Sequence, residues 1–185
     1  MTETLHRINR PLNPELAENT SIKLIGLGGV GSIIARYLSI FLASFSLNLR
    51  LVLIDGDSFE PGNASRMLFS GYGNKAAVLR AELLPQFSDS HLALIAVQEF
   101  VTISNVARLI HNGDIVFLAV DNHATRKLVS DFCRTTLEDI NLISGGNDGI
   151  GLDAYHRETR GTYGNCQIYM RRAGQDISPS LTRYH

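Results

Sequence analysis

Apolar positions along this chain fall into short unbroken runs separated by longer, helically spaced segments. Residues 22–27 are apolar but for Lys23, and LRLVLI (49–54), HLALIAV (91–97), DIVFLAV (114–120) and NLIS (141–144) have the same character. Runs this short and this apolar predict strands covered on both faces, as in a parallel sheet. Between them, residues 33–47, 76–87, 102–111 and 122–137 predict helices, with Thr102 or Ser104 able to cap the third. The segment CQIYMR (166–171) alternates weakly and predicts a sixth strand, one suited to antiparallel pairing. Strands alternating with helices predict an α/β, doubly wound, mainly parallel sheet with helices on both faces.

The first strand runs into Gly26, Gly28, Gly29 and Gly31, and a helix follows. Strand, glycine turn, helix is the context in which a G-x-G-x-x-G match carries meaning, and it makes the expected fold Rossmann-like. Glycine lets the backbone turn and lets a phosphate approach without a Cβ in the way. The helix then offers free N–H groups and a partial positive charge to an anion. A tight turn with no ligand is the alternative for the glycines alone.

Further along, polar residues recur at the ends of the apolar runs. Asp55 closes the second strand, 29 residues past Gly26, where a carboxylate can accept from ribose hydroxyls. An ordinary Asp-Gly turn is the alternative there. Residues 58–72 are aperiodic and carry Pro61, Gly62, Asn63 and Arg66, and a loop of that length tends to be functional. Lys75 follows. Arg66 and Lys75 near the carboxyl end of a parallel sheet suit a triphosphate better than a dinucleotide, Arg as a fork and Lys as a point charge. Asp121 ends the fourth strand and can hold Mg²⁺ on a triphosphate, or cap the next helix. Asn122 stands beside it.

Composition narrows the classes. A chain of 185 residues is about one domain. It divides into an N-terminal arm (1–20), a nucleotide-binding α/β domain (21–172) and a polar tail (173–185). The arm carries Pro11 and Pro14 and reads as a solvated tail with a short helical turn at 14–18, or as part of the site through Arg7 and Arg10. A net charge of −1 gives no electrostatic case for nucleic acid or a membrane surface. Two cysteines, Cys133 and Cys166, make neither a disulfide framework nor a CxxC metal site, and suit the cytoplasm. Cys133 reads as core, Cys166 as a small residue near the site. No apolar leader marks the first residues, and 33–47 is broken by Arg36 and too short to span a bilayer. Residues 150–164 are polar and aperiodic and read as a mobile loop.

Taken in order, GLGGVGS, LIDGD, NASR, GYGNKA, DNHATR and ISGG resemble the ThiF/MoeB/HesA family, ATP-dependent adenylyltransferases related to ubiquitin-activating enzymes. The resemblance runs from about residue 7 to residue 168. It implies activation of the C-terminal carboxylate of a small ubiquitin-like or sulfur-carrier protein as an acyl-adenylate, using ATP and Mg²⁺, in a homodimer. By position it implies that Gly28, Gly29 and Gly31, with Gly26 before them, form the phosphate turn and that Asp55 holds the ribose. Asn63, Arg66 and Lys75 would bind the triphosphate, Asp121 the Mg²⁺, and Asn122 would line the site. Arg7-Ile8-Asn9-Arg10 matches an R-x-x-R whose second arginine, here Arg10, reaches the triphosphate of the neighbouring subunit. Departures are visible too. Met67 stands where the family often has glutamine, and SPSLTR stands where a first CxxC would fall, so no zinc is expected. The chain stops soon after the sixth strand, as a compact variant or a fragment. Two further readings stay open: an inactive nucleotide-binding partner or scaffold subunit of such an enzyme, and an NAD-dependent oxidoreductase, which Arg66, Lys75 and Asp121 do not serve.

Overall fold

The computed structural model describes residues 16–65, 67–147, 150–152, 156, 158–160 and 164–181. The five apolar runs become β1 (Ser21–Ile25), β2 (Leu49–Ile54), β5 (Leu92–Val97), β6 (Ile115–Leu118) and β7 (Ile140–Asn147). They are parallel, and lie in the order β5-β2-β1-β6-β7. The sheet is extended by β10 (Gly164–Arg172), antiparallel to β7, and by the two-residue β11 (Gln175–Asp176). The fold is therefore α/β and Rossmann-like, with the antiparallel C-terminal strand that the weak alternation predicted. Strand order reverses between β1 and β6, which opens a crevice at their carboxyl ends.

Side-chain alternation sorts each strand between two apolar layers. Ile22, Leu24, Leu49, Leu51 and Leu53 face α1 (Gly29–Ala43) and α2 (Lys75–Leu83), meeting Ala35, Leu42, Leu79 and Leu83. Ile25, Val52, Ile54, Val116 and Leu118 face α3 (Val106–Leu109) and α4 (His123–Thr136), meeting Val106, Leu109, Val129 and Cys133. Burial of one such Leu or Ile contributes about 1.5–3 kcal/mol. Lys23 is buried on the second face, 3.8 Å from the buried Asp114 carboxylate. Burial still pushes the Asp114 carboxyl up.

Several elements differ from their sequence forecast. α1 starts at Gly29, within the glycine turn, and stops at Ala43, where the Ser44 hydroxyl donates to the Phe41 carbonyl (2.7 Å). The helix expected over 102–111 shrinks to Val106–Leu109, and neither Thr102 nor Ser104 caps it. Their hydroxyls bond each other (2.9 Å) and Thr102 N donates to Asn105 Oδ1 (2.8 Å), so 102–105 closes as a turn. β7 continues through Gly145 and Gly146, because Cys166 and Asn165 of β10 pair with them. In place of an aperiodic loop after β7, β8 (Ile150–Leu152) and β9 (Glu158–Arg160) form an antiparallel ribbon. Such a ribbon satisfies its own backbone without apolar periodicity, which is why the pattern missed it.

The long loop after β2 is closed at its base by β3 (Ser58–Phe59) against β4 (Gly73–Asn74). Phe59 stacks on Phe69 and Tyr72, at 4.8 and 5.6 Å between ring centroids. At the outer edge of β5, Arg80 of α2 donates from Nε to the Leu94 carbonyl (2.8 Å). Among the described residues no helix is long and apolar enough to cross a membrane.

Candidate functional site

The glycine turn sits at the carboxyl end of β1, pinned on both sides. Gly26 N donates to Ile54 O (3.0 Å) and Ala119 N to Ile25 O (2.8 Å). Gly26 adopts φ +88°, and a Cβ there would lie 2.8 Å from Val120 N. A Cβ on Gly31 would fall 1.8 Å from the Gly26 carbonyl oxygen. These two glycines serve the close crossing of strand end and helix. Gly28 is different: a Cβ there would meet only Met67 Cε, at 3.9 Å. Gly28 is the N-cap of α1 and no side chain caps that terminus, so its leading N–H groups keep their donors unspent by a cap.

Asp55 ties this turn to β2. Its Oδ2 accepts from Leu27 N (2.6 Å) and its Oδ1 from Asp57 N (2.8 Å). Each oxygen keeps acceptor capacity. The loop's return strand is stitched to the same place: Asn74 Nδ2 donates to the carbonyls of Asp55 (2.9 Å) and Asp57 (3.2 Å), while Asn74 Oδ1 caps α2 through Ala77 N (3.1 Å). Lys75 is the first residue of α2. Its side chain is only 6% exposed, and its ammonium pairs with Asp57, whose own side chain is 57% exposed. The hydrogen bond from Lys75, chiefly, holds the Asp57 carboxyl below its ordinary value. Asn63 Oδ1 accepts from Glu60 N (3.1 Å) and so secures the tight turn Pro61–Asn63 beside the site. Arg66 and Arg10 lie outside the described residues.

Across the crevice, Asp121 follows β6 by three residues. It is exposed and makes no hydrogen bond or ion pair among the described residues. Asn122, not Asp121, caps α4, accepting from Thr125 N through Oδ1 (2.8 Å). That leaves the Asp121 carboxylate unspent by the helix. Behind it, Arg126 donates to the carbonyls of Val120 (2.5 Å) and Gly145 (2.9 Å) and to the Ser144 hydroxyl. One guanidinium thus joins the ends of β6 and β7 to α4. Burial pulls the Arg126 pKa down, and the neighbouring Asp121 charge opposes that shift. A Cβ on Gly146 would lie 2.6 Å from an Arg126 nitrogen, so a side chain there would have to displace the guanidinium.

The turn at Gly28 and Gly29, Asp55 and Lys75 therefore stand on the β1–β2 side of one crevice, with Asp121 and Asn122 on its β6 side, while the Asn63 side chain bonds within its own turn. Asp57, Asn74 and Arg126 escaped the sequence reading. Asp57 had a signal, because the D-x-D spacing places two carboxylates at one strand end. Arg126 had only its place at the end of DNHATR, to which no role was attached, since a helical arginine usually faces water. Cys133 is buried and its thiol pushed up to about 12 by burial, while Cys166 is exposed on β10. Among the described residues no three His, Cys, Asp or Glu side chains converge on a metal-sized site. A magnesium ion carried by a triphosphate needs only one or two carboxylates, and the free Asp121 meets that requirement.

With that geometry in hand, comparison with known proteins is informative. The model of the ThiF family matches residues 7–178. The adenylyltransferase and sulfurtransferase MOCS3 of Dictyostelium discoideum is 35% identical over 130 residues, 69% of this chain and 29% of that protein. MOCS3-1 of Zea mays is 30% identical over 141 residues, 74% of this chain and 29% of that protein. The chain thus spans under a third of the length of these relatives. Among solved structures, E. coli MccB crystallised with ATP superposes with a TM-score of 0.52 at 23% identity, over 74% of this chain and 39% of that one. PaaA gives 0.53 at 19%, over 76% and 47%. Both share the fold.

Proposed function

We propose that this chain, which belongs to the ThiF family, is the nucleotide-binding core of an ATP-dependent adenylyltransferase. Its substrate is the C-terminal carboxylate of a small ubiquitin-like or sulfur-carrier protein, which it converts to an acyl-adenylate in the cytoplasm. The observation that carries this reading is the meeting, at one crevice, of an uncapped helix N-terminus at Gly28, a buried Lys75 and an unspent Asp121 carboxylate. The family and the activity named for its MOCS3 relatives support it.

Adenylation asks the protein for position and charge, and for no side-chain nucleophile. A carboxylate oxygen of the carrier attacks the α-phosphorus, the bond to the bridging oxygen breaks, and pyrophosphate leaves. The N–H groups opened by Gly28 and Gly29 receive phosphate oxygens. Asp55 accepts from the ribose with the lone pairs its backbone bonds leave free. Lys75, Asn63 and Arg66 meet the triphosphate from the β2 side, and Arg10 meets that of the neighbouring subunit of a homodimer. Asp121 would hold Mg²⁺, which would neutralise phosphate charge, and Asn122 would line the same wall.

The test is incorporation of labelled pyrophosphate into ATP in the presence of carrier proteins ending in Gly-Gly. Carrier-dependent exchange is expected, and its absence across a panel of carriers, with ATP bound, overturns the proposal. A second reading draws on Met67, whose thioether lies by Gly28 where the family often has an amide. It is a nucleotide-binding partner subunit, inert until an active second chain is added. Titration with ATP–Mg²⁺ and with NAD, followed by melting temperature, separates both from an oxidoreductase, because a ligand bound by the folded state alone raises stability.

A further inference from the structure

We infer that Asp57 is a positioning residue for Lys75, holding its ammonium at the edge of the glycine turn where the phosphates arrive. The inference rests on the adenylyltransferase reading and gives that site a part the sequence did not show. Lysine carries a point charge on a flexible four-carbon stem, and nothing in the stem fixes where the charge sits. Here the stem is buried, with the side chain 6% exposed, so the ammonium needs a partner to remain charged there. Asp57 is that partner.

Asp57 is itself fixed from four directions. Its Oδ1 accepts from Ser58 N (2.9 Å) and its N–H donates to Asp55 Oδ1 (2.8 Å). Its carbonyl accepts from Lys75 N (2.9 Å) and Asn74 Nδ2 (3.2 Å). Asp55 in turn accepts from Leu27 N of the glycine turn (2.6 Å). An unbroken hydrogen-bonded path therefore runs from the turn through two carboxylates to the ammonium. An ammonium has three donors, and Asp57 uses one, which leaves two for phosphate oxygens.

Pyrophosphate exchange is compared in wild type, D57N, D57S, D57E, K75A and D57N/K75A, each checked for a cooperative urea transition. D57N and D57S are expected to lower kcat at least tenfold with a smaller change in KM for ATP. D57E, which keeps the charge at a longer reach, should recover part of the loss. In the K75A background D57N should cost nothing further, which a merely structural role would not produce. Wild-type rates in D57N or D57S, or losses that multiply in the double variant, overturn the inference while leaving the enzyme reading intact. A wild type that binds ATP–Mg²⁺ without any exchange overturns both.

Discussion

Replacing Gly31 by alanine, and separately Gly28 by alanine, perturbs one glycine motif in two opposite ways. At Gly31 the added carbon would lie 1.8 Å from the Gly26 carbonyl oxygen, 2.9 Å from its carbon and 3.4 Å from the Ala119 side chain. The nearest of these is backbone, held by the bond from Gly26 N to Ile54 O, so no side chain can swing aside. Relief requires moving α1 off β1 by more than an ångström. Overpacking of this kind costs about 1–3 kcal/mol and occasionally more, and a clash this short against the Gly26 backbone belongs at the upper end. For a domain of this size about 3 kcal/mol lowers the melting temperature by roughly 6–12 °C. At Gly28 the added carbon meets only Met67 Cε at 3.9 Å, and its φ of −68° suits any residue. Alanine is a poorer N-cap than glycine, by up to about 1 kcal/mol. It gains about 0.4–1 kcal/mol by stiffening the unfolded chain. The net should lie within ~0.5 kcal/mol. On the proposed reading that same carbon would stand where phosphates approach, so ATP–Mg²⁺ should raise the melting temperature of wild type and not of G28A. Urea midpoints at constant slope, with melting curves with and without ATP–Mg²⁺, measure both. A G31A variant as stable as wild type, or a G28A variant that is unstable or still responds fully to ATP, refutes the division of labour.

Asp55→Asn should cost about 1 kcal/mol or more in urea unfolding, because the amide NH2 replaces one acceptor oxygen and faces either the part-buried Leu27 N–H or the exposed Asp57 N–H. Asp57, with its pKa lowered from 3.8, adds stability that is whole above pH 3.8 and lost as pH falls through the folded value. Acid titration of melting temperature should therefore be less steep below pH 3.8 in D57N than in wild type, and equal steepness counts against the pairing. A maleimide at pH 7 should label one thiol in the folded protein, exposed Cys166, and two in urea, since Cys133 is buried and its thiol is pushed up to about 12. Mass spectrometry of the labelled peptides reads this directly.

How much could be read from the chain follows from the range of each interaction. Strands of a parallel sheet announce themselves because both faces are apolar, so LRLVLI and DIVFLAV became β2 and β6 within a residue or two. The site's backbone was legible through its glycines, but not their separate duties. Only the crossing distances tell that Gly26 and Gly31 serve packing and Gly28 opens the turn. Lys75 was legible as a candidate cation after the long loop. Its burial and its bond to Asp57 were not, since they depend on Asn74 folding the loop back across 17 residues to Asp57. Local side-chain bonds defeated the helix forecast at 102–105, where Asn105 closes a turn instead. The helix cap fell on Asn122 for a similar reason: both residues suit the position, and only geometry chooses.

Arg80, lying over the rim of β5, bears on how this protein behaves at high concentration. An outermost strand offers a free row of carbonyls and amides to any passing extended chain. Here the Leu94 oxygen is already taken by a guanidinium from α2. At the opposite rim stands a pair of residues too brief to template a neighbour, Gln175–Asp176, anchored by a tyrosine hydroxyl. Each contact thus removes groups that a passing strand would otherwise pair with, one carbonyl at the rim of β5 and the last two residues of β10 at the other.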